Sequence, residues 1–290
     1  MNLWIGIEHM KNIELHLGHA GYCEAKEHHA IRDGKRQTIK FHALWGLIRH
    51  PEEGYILFDT GYTQRFFEET RNFPSKIYAL LTKVSVTPEE EVIHQLKNSG
   101  IMPEEIKKIF ISHFHADHVG GLRDFPKAKI ITSRNALNHT LGLNSYSSFS
   151  KGVLKGLLPE DLEQRTLFIE NCTANMDPVF GETYDLLGDS SMLAFSLPGH
   201  ARGQFGLLLQ TPKSKYFLVA DAAWVNRAVT DMVLPSPVVR LFFDSWKAYT
   251  STLRKLHEFH QLFPDVLIIP THCEATTTPL ISKRVRFDLL

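Results

Sequence analysis

Apolar residues gather in short runs of strand length along most of the chain, and a helical period appears in only two places. Residues 39–48 and 55–58 read as strands. Between them stands Arg49-His50-Pro51-Glu52-Glu53-Gly54, a turn-rich link that predicts a hairpin. Residues 88–99 read as a helix: Thr87 suits the N-cap, Pro88 the first helical position, and Glu90 closes a capping box. Val92, Ile93 and Leu96 give that helix one apolar face, and Gly100 supplies the stop. Buried strands are expected at 108–111 and 129–132, and again at 192–197, 205–209, 216–220 and 266–269. A long helix starts after Asp244, with Trp246, Tyr249, Leu253, Leu256 and Phe259 at helical spacing and Pro264 limiting its end.

Hairpin-type strands followed by strands mixed with helices predict an α/β layered fold with mixed sheets. No repeat of fixed period and no low-complexity linker interrupts it. Residues 141–183 are the least regular and read as an insertion over the site rather than a separate domain. The apolar stretches 66–81 and 233–243, broken by Pro74, Pro235 and Pro237, are expected to serve as core or dimer contact rather than as substrate pocket.

Composition narrows the function. With 290 residues and 43% hydrophobic content the chain can build a sizeable core. Lys+Arg and Asp+Glu both number 32, so a zero formal charge gives no general reason to expect nucleic acid or an anionic membrane as partner. The run Lys283-Arg284-Val285-Arg286 is read as a solvated face. Three widely spaced cysteines, Cys23, Cys172 and Cys273, do not make a disulfide framework. Residues 1–10 lack a basic start followed by an apolar stretch, and no segment approaches the roughly 18 apolar residues of a membrane span. A cytoplasmic protein is the expectation.

Sixteen histidines are the compositional excess, and the question is which of them stand with carboxylates. Ser112-His113-Phe114-His115-Ala116-Asp117-His118 follows directly on the strand 108–111. If the chain stays extended there, His113 and His115 face the same side and can converge on one ion. Asp117 and His118 can face a second ion beside it. Three further candidates stand at or just beyond predicted strand ends: His200 after Leu197-Pro198-Gly199, Asp221 after 216–220, and His272 after 266–269. Five histidines and two aspartates, with no cysteine, suit zinc, and also iron or manganese. Seven ligands are too many for one tetrahedral ion and suit two ions sharing a bridging carboxylate. Two divalent cations, two carboxylates and a bridging hydroxide sum to a formal charge of about one positive, which favours an anionic transition state.

These residues resemble the metallo-β-lactamase superfamily, whose signature is His-x-His-x-Asp-His. Phe58-Asp59-Thr60-Gly61 is similar to its earlier Asp-Thr-Gly element, Leu197-Pro198-Gly199-His200 to its Pro-Gly-His element, and Asp221 and His272 fall in the same order. The likeness runs from Tyr55 to His272. It implies a four-layer αβ/βα sandwich of two mixed β-sheets flanked by helices. One hydrolase domain over 1–290 is expected, with insertions at 62–86 and 141–183 over the active site. By the family's pattern His113, His115 and His200 bind the first metal, Asp117, His118 and His272 the second, and Asp221 bridges. Asp59 then orients a ligand by hydrogen bonding.

Within the superfamily, His115 stands where the diiron flavoproteins carry Glu, and no cysteine occupies a ligand position; Cys273 is out of register and reads as a buried thiol. What remains looks most like the N-acyl homoserine lactonase branch, with its quorum-quenching role. The resemblance implies two divalent ions, Zn2+ first, and a small-molecule substrate. A bridging hydroxide would open the lactone or ester, with Asp117 passing a proton to the leaving alkoxide. One departure matters: that branch carries a carbonyl-polarising tyrosine three residues after the bridging aspartate, where this chain has Trp224. Either Trp224 shapes the pocket, or Tyr22, Tyr184 or His139 supplies the donor. A glyoxalase II-like thioesterase, with Lys283, Arg284 and Arg286 as the remnant of a basic pocket, stays open as an alternative. So do a phosphodiester or phosphotriester hydrolase, and a mono-iron sulfur-dioxygenase-like oxidoreductase. A homodimer through 66–81 is a further alternative, as is a lid formed by that stretch.

Overall fold

The computed structural model describes residues 11–282 and 284–287; the first ten residues, read above for a leader, and Lys283 of the basic run lie outside the described residues. The strands, in chain order, are β1 (Glu14–Lys26), β2 (Thr38–His50), β3 (Gly54–Phe58), β4 (Val84–Ser85), β5 (Ile106–Phe110), β6 (Lys129–Thr132), β7 (Thr166–Phe168), β8 (Thr173–Asp177), β9 (Gly181–Asp185), β10 (Met192–Ser196), β11 (Phe205–Gln210), β12 (Lys215–Ala220) and β13 (Val266–Pro270). They form two sheets, ordered β4-β1-β2-β3-β5-β6-β7 and β13-β12-β11-β10-β9-β8. Both are mixed: β3, β5, β6 and β7 run parallel to one another, as do β12 and β13, and the remaining pairs are antiparallel.

Continuous apolar runs make strands buried on both faces, and the period of two sorts their side chains into layers. On β12, Tyr216, Leu218 and Ala220 join the core between the sheets, and Phe217 and Val219 join the core on the far side. On β3, Ile56 and Phe58 point between the sheets and Leu57 points outward. The helix Trp246–Leu262 closes the outer face of the second sheet with Tyr249, Leu253, Leu256 and Phe259, all fully buried, the two leucines and Phe259 contributing about 1.5–3 kcal/mol each. Ser245 caps it by accepting the Ala248 N–H at 3.2 Å. Helices thus flank two mixed sheets, as the α/β reading requires. Among the described residues no helix is long and apolar enough to cross a membrane.

Three local expectations differ from what is observed. The helix expected over 88–99 is a 3-10 turn, Pro88–Glu90, followed by the helix Val92–Asn98. Glu91 between them is extended because its carboxylate is drawn aside to accept the Gln64 N–H at 2.8 Å. The stop at Gly100 takes φ +79°, with Ile101 donating to Leu96 and Gly100 to Lys97. The stretch 141–183 contains β7, β8 and most of β9, which extend both sheets. β1, the long partner of β2, was not anticipated: a register shift between His19 and Tyr22, with Gly21 at φ +75°, breaks its alternation.

Candidate metal centre

The site grows from the carboxyl ends of the parallel strands, where loops leave a rigid sheet. β3 ends in Asp59-Thr60-Gly61 and β5 in the run 112–118. The first loop latches the second: Thr60 donates N–H and Oγ1–H to the His118 carbonyl at 2.8 and 2.9 Å. Gly61 has φ +62°, and a Cβ there would stand 2.3 Å from the Ala20 Cβ. The chain is extended at His115, so His113 and His115 share a side while Phe114 turns into the core. The short helix Ala116–Val119 then brings round Asp117 and His118.

From the second sheet, Gly199 at φ +135° presses on Tyr249, where a Cβ would come within 2.2 Å of backbone atoms. That close approach seats His200 beside the start of the helix Trp246–Leu262; its carbonyl accepts the Asp244 N–H at 3.0 Å. Asp221 and His272 leave the neighbouring parallel strands β12 and β13.

The loops bring all seven ligand-type residues together in two groups that share Asp221. His113, His115, His200 and Asp221 form one, and Asp117, His118, Asp221 and His272 the other, with the ligand atoms of each within 4.8 Å of one another. The separations fit cations. Ligand atoms about 2.0–2.1 Å from a tetrahedral ion stand about 3.3 Å apart. Here His118 Nε2 is 3.4 Å from Asp117 Oδ2 and 3.3 Å from Asp221 Oδ1. His272 Nε2 is 3.5 Å from Asp117 Oδ2 and 3.1 Å from Asp221 Oδ2. His200 Nε2 is 3.0 Å from His115 Nδ1 and 3.1 Å from Asp221 Oδ2. His113 Nε2, His118 Nε2 and Asp221 Oδ1 are buried without a hydrogen-bond partner, a costly state that a cation in each group would relieve.

The far sides of the rings are fixed so that lone pairs face inward. His118 Nδ1–H donates to Asp59 Oδ2 at 2.6 Å, and His272 Nδ1–H to the His42 carbonyl at 2.9 Å. Asp59 also accepts the Ser112 N–H and Oγ–H, each at 2.8 Å, and Ser112 Oγ lies 3.1 Å from His113 Nδ1. Burial raises the Asp59 carboxyl above its ordinary range, while His118 and Ser112 pull it back. Burial, reinforced by the neighbouring imidazoles, pushes His113 far down; burial also lowers His115 and takes His200 down to about 3. These three rings are neutral, as ligands must be. Burial opposes ionisation of the aspartates, but the neighbouring His272 and His118 outweigh it, holding Asp221 far below its usual range and Asp117 at about 2.

Trp224, in the position where a tyrosine was the point of comparison, turns its indole N–H to Asp221 Oδ2 at 3.3 Å. Its ring packs on Phe41, Phe243 and His200. The variant Trp224→Phe keeps that aromatic wall and loses the donor. Metal affinity is expected to fall about 10-fold, read by competition with a chromogenic chelator; unchanged affinity would show that the N–H does not orient Asp221.

The groups open into a cavity of about 730 Å3. Its lining corrects part of the sequence reading. Tyr78, Leu80 and Leu81 from 66–81, and Val239, Leu241 and Phe242 from 233–243, form its walls, although Phe66, Val239 and Phe243 are also core. None of Tyr22, Tyr184 and His139 lines it: Tyr22 lies under Lys40, and Tyr184 donates to Glu182 at 2.7 Å. His139 lines only a small neighbouring pocket. The phenols on the wall are Tyr62 and Tyr78, both missed in the sequence; Tyr62 directly follows Asp59-Thr60-Gly61, which is the signal that could have found it. Cys273 is buried, its Sγ accepting from Asn226 N–H and Thr276 Oγ1, and Arg284 and Arg286 are exposed away from the cavity.

Residues 39–261 match the Metallo-beta-lactamase superfamily, and the chain belongs to it. It is a metal-dependent hydrolase of that superfamily. It is 26% identical over 228 residues to the N-acyl homoserine lactonase AttM of Azorhizobium caulinodans, covering 78% of this chain and 82% of the relative. An N-acyl homoserine lactonase of Bacillus cereus is 26% identical over 194 residues, 66% of this chain and 68% of the relative. The fold is similar to that of an N-acyl homoserine lactone hydrolase solved with the product N-hexanoyl-L-homoserine at its catalytic metal center. The TM-score is 0.73 at 21% identity, over 93% of this chain and 96% of that one.

Proposed function

We propose that the chain hydrolyses lactones bearing an apolar acyl substituent, with two divalent ions, zinc foremost, held by the two residue groups. The observation that carries this reading is the sharing of Asp221 between those groups at the floor of the cavity. His113, His115, His200 and Asp221 would hold one ion, and Asp117, His118, His272 and Asp221 the other. Divalent ions, when bound, supply Lewis acidity and a water acidified toward neutral pH. The chain's residues do the rest. Asp59, through His118, and the His42 carbonyl, through His272, keep the ligand rings from rotating. Water oxygen bonds to the carbonyl carbon, the ring C–O bond breaks, and the product is the hydroxy acid. Asp117 lines the cavity and takes the proton that water gives up, passing it to the departing ring oxygen. Phe41, Trp224 and Val239 exclude water from the acyl substituent.

The lactonase relatives support the same substrate class. Three unpaired thiols suit a reducing compartment, so action in the cytoplasm is part of the proposal. A panel of acyl lactones, thioesters and phosphotriesters tests it on zinc-loaded protein. Lactones are expected to be the fastest substrates. Turnover of a thioester or phosphotriester with no lactone opened would overturn the reading, as would one iron per chain with oxygen uptake.

A further inference from the structure

We propose that Tyr78, from the short helix Lys76–Leu81, is a catalytic residue that donates its phenolic O–H to the substrate's carbonyl oxygen. The proposal rests on the lactone reading above. It begins from a donor that is missing: the side chain three residues after Asp221 is an indole, and its one N–H is spent on Asp221 Oδ2. A second donor on the wall, the Lys26 ammonium, bonds Thr38 Oγ1 at 2.8 Å. The Tyr62 hydroxyl sits against the Cys23 thiol within the core.

Tyr78 is differently placed. It lines the same cavity as Asp117, Asp221 and His272, is half-buried, and makes no side-chain hydrogen bond among the described residues. Its ring stands edge-on to the buried Phe66, centroids 5.6 Å apart, which limits how it can turn. The short helix carrying it is closed at its two ends by Tyr78 N–H to the Ser75 carbonyl at 2.9 Å and Thr82 N–H to the Tyr78 carbonyl at 2.8 Å. Burial keeps the phenol protonated and therefore a donor. As the carbonyl carbon is attacked, negative charge builds on its oxygen, and a fixed O–H there gains strength in the transition state over the ground state. The stretch 66–81 thereby contributes chemistry as well as a wall.

The test compares Tyr78→Phe with wild type, both loaded with zinc, on one acyl lactone and on an aryl ester with a good leaving group. The expected result is a fall of about 100-fold in kcat on the lactone, with KM changed by less than about two-fold. A smaller fall is expected on the aryl ester, together with unchanged zinc content and melting temperature. A Tyr78→Phe variant that keeps wild-type kcat overturns the proposal. So does a loss seen in Lys151→Met, a cationic donor that lines the same cavity, but not in Tyr78→Phe. A wild type that opens no lactone defeats the parent reading, whereas a lactonase indifferent to Tyr78→Phe defeats only this one.

Discussion

The variant Asp221→Asn is expected to lose at least about 1000-fold in kcat/KM on lactones and to bind neither ion tightly. Asp221 belongs to both ligand groups, so in the proposed site its charge would serve two cations at once. Its two oxygens face different partners: Oδ1 toward His118 Nε2, Oδ2 toward His200 and His272 Nε2. An amide keeps the shape but offers one carbonyl oxygen and an NH2 that cannot coordinate a cation. The damage is confined to the site, since β12 and β13 are held by their own ladder. Circular dichroism should therefore stay native while zinc analysis shows the loss. Near wild-type turnover with full zinc would mean that Asp221 does not bridge.

The second large effect is on stability. A strong chelator is expected to lower the melting temperature. An ion present at a thousandfold excess over its Kd stabilises the fold by about 4 kcal/mol. At roughly 2–4 °C per kcal/mol for a chain somewhat smaller than this one, that is about 8–16 °C. The physical cause is visible in the unrelieved site: buried ring nitrogens and a carboxylate oxygen with no partner, converging from both sheets. Differential scanning calorimetry with and without chelator measures it, and re-adding zinc should restore the original transition. A melting temperature indifferent to chelation would show that the site contributes nothing to the fold.

Much of this architecture could be read from residue order, and the reasons are local. Strands such as β11 and β12 are short runs buried on both faces, so hydrophobicity alone marks them. The seven ligand-type residues cluster at strand ends because a rigid sheet edge is where converging side chains can be held. What stayed hidden depends on tertiary contact. β1 carries histidines, glycines and a bulge, so its pairing with β2 shows only in space. Glu91 leaves the helix for a hydrogen bond to Gln64, a residue 27 positions away. Tyr78 has no sequence signal at all: it lies in an irregular apolar stretch and acquires meaning only when that stretch folds over the cavity. Trp224 was visible as a departure from the lactonase pattern, but the direction of its N–H was not.

The central claim is a pair of cation sites joined through one carboxylate, and calorimetric titration of metal-free protein with zinc tests it most directly. Two zinc ions per chain are predicted for the wild type, with both tight binding events lost in Asp221→Asn. A single ion per chain, or a second ion retained at full affinity in that variant, would contradict it.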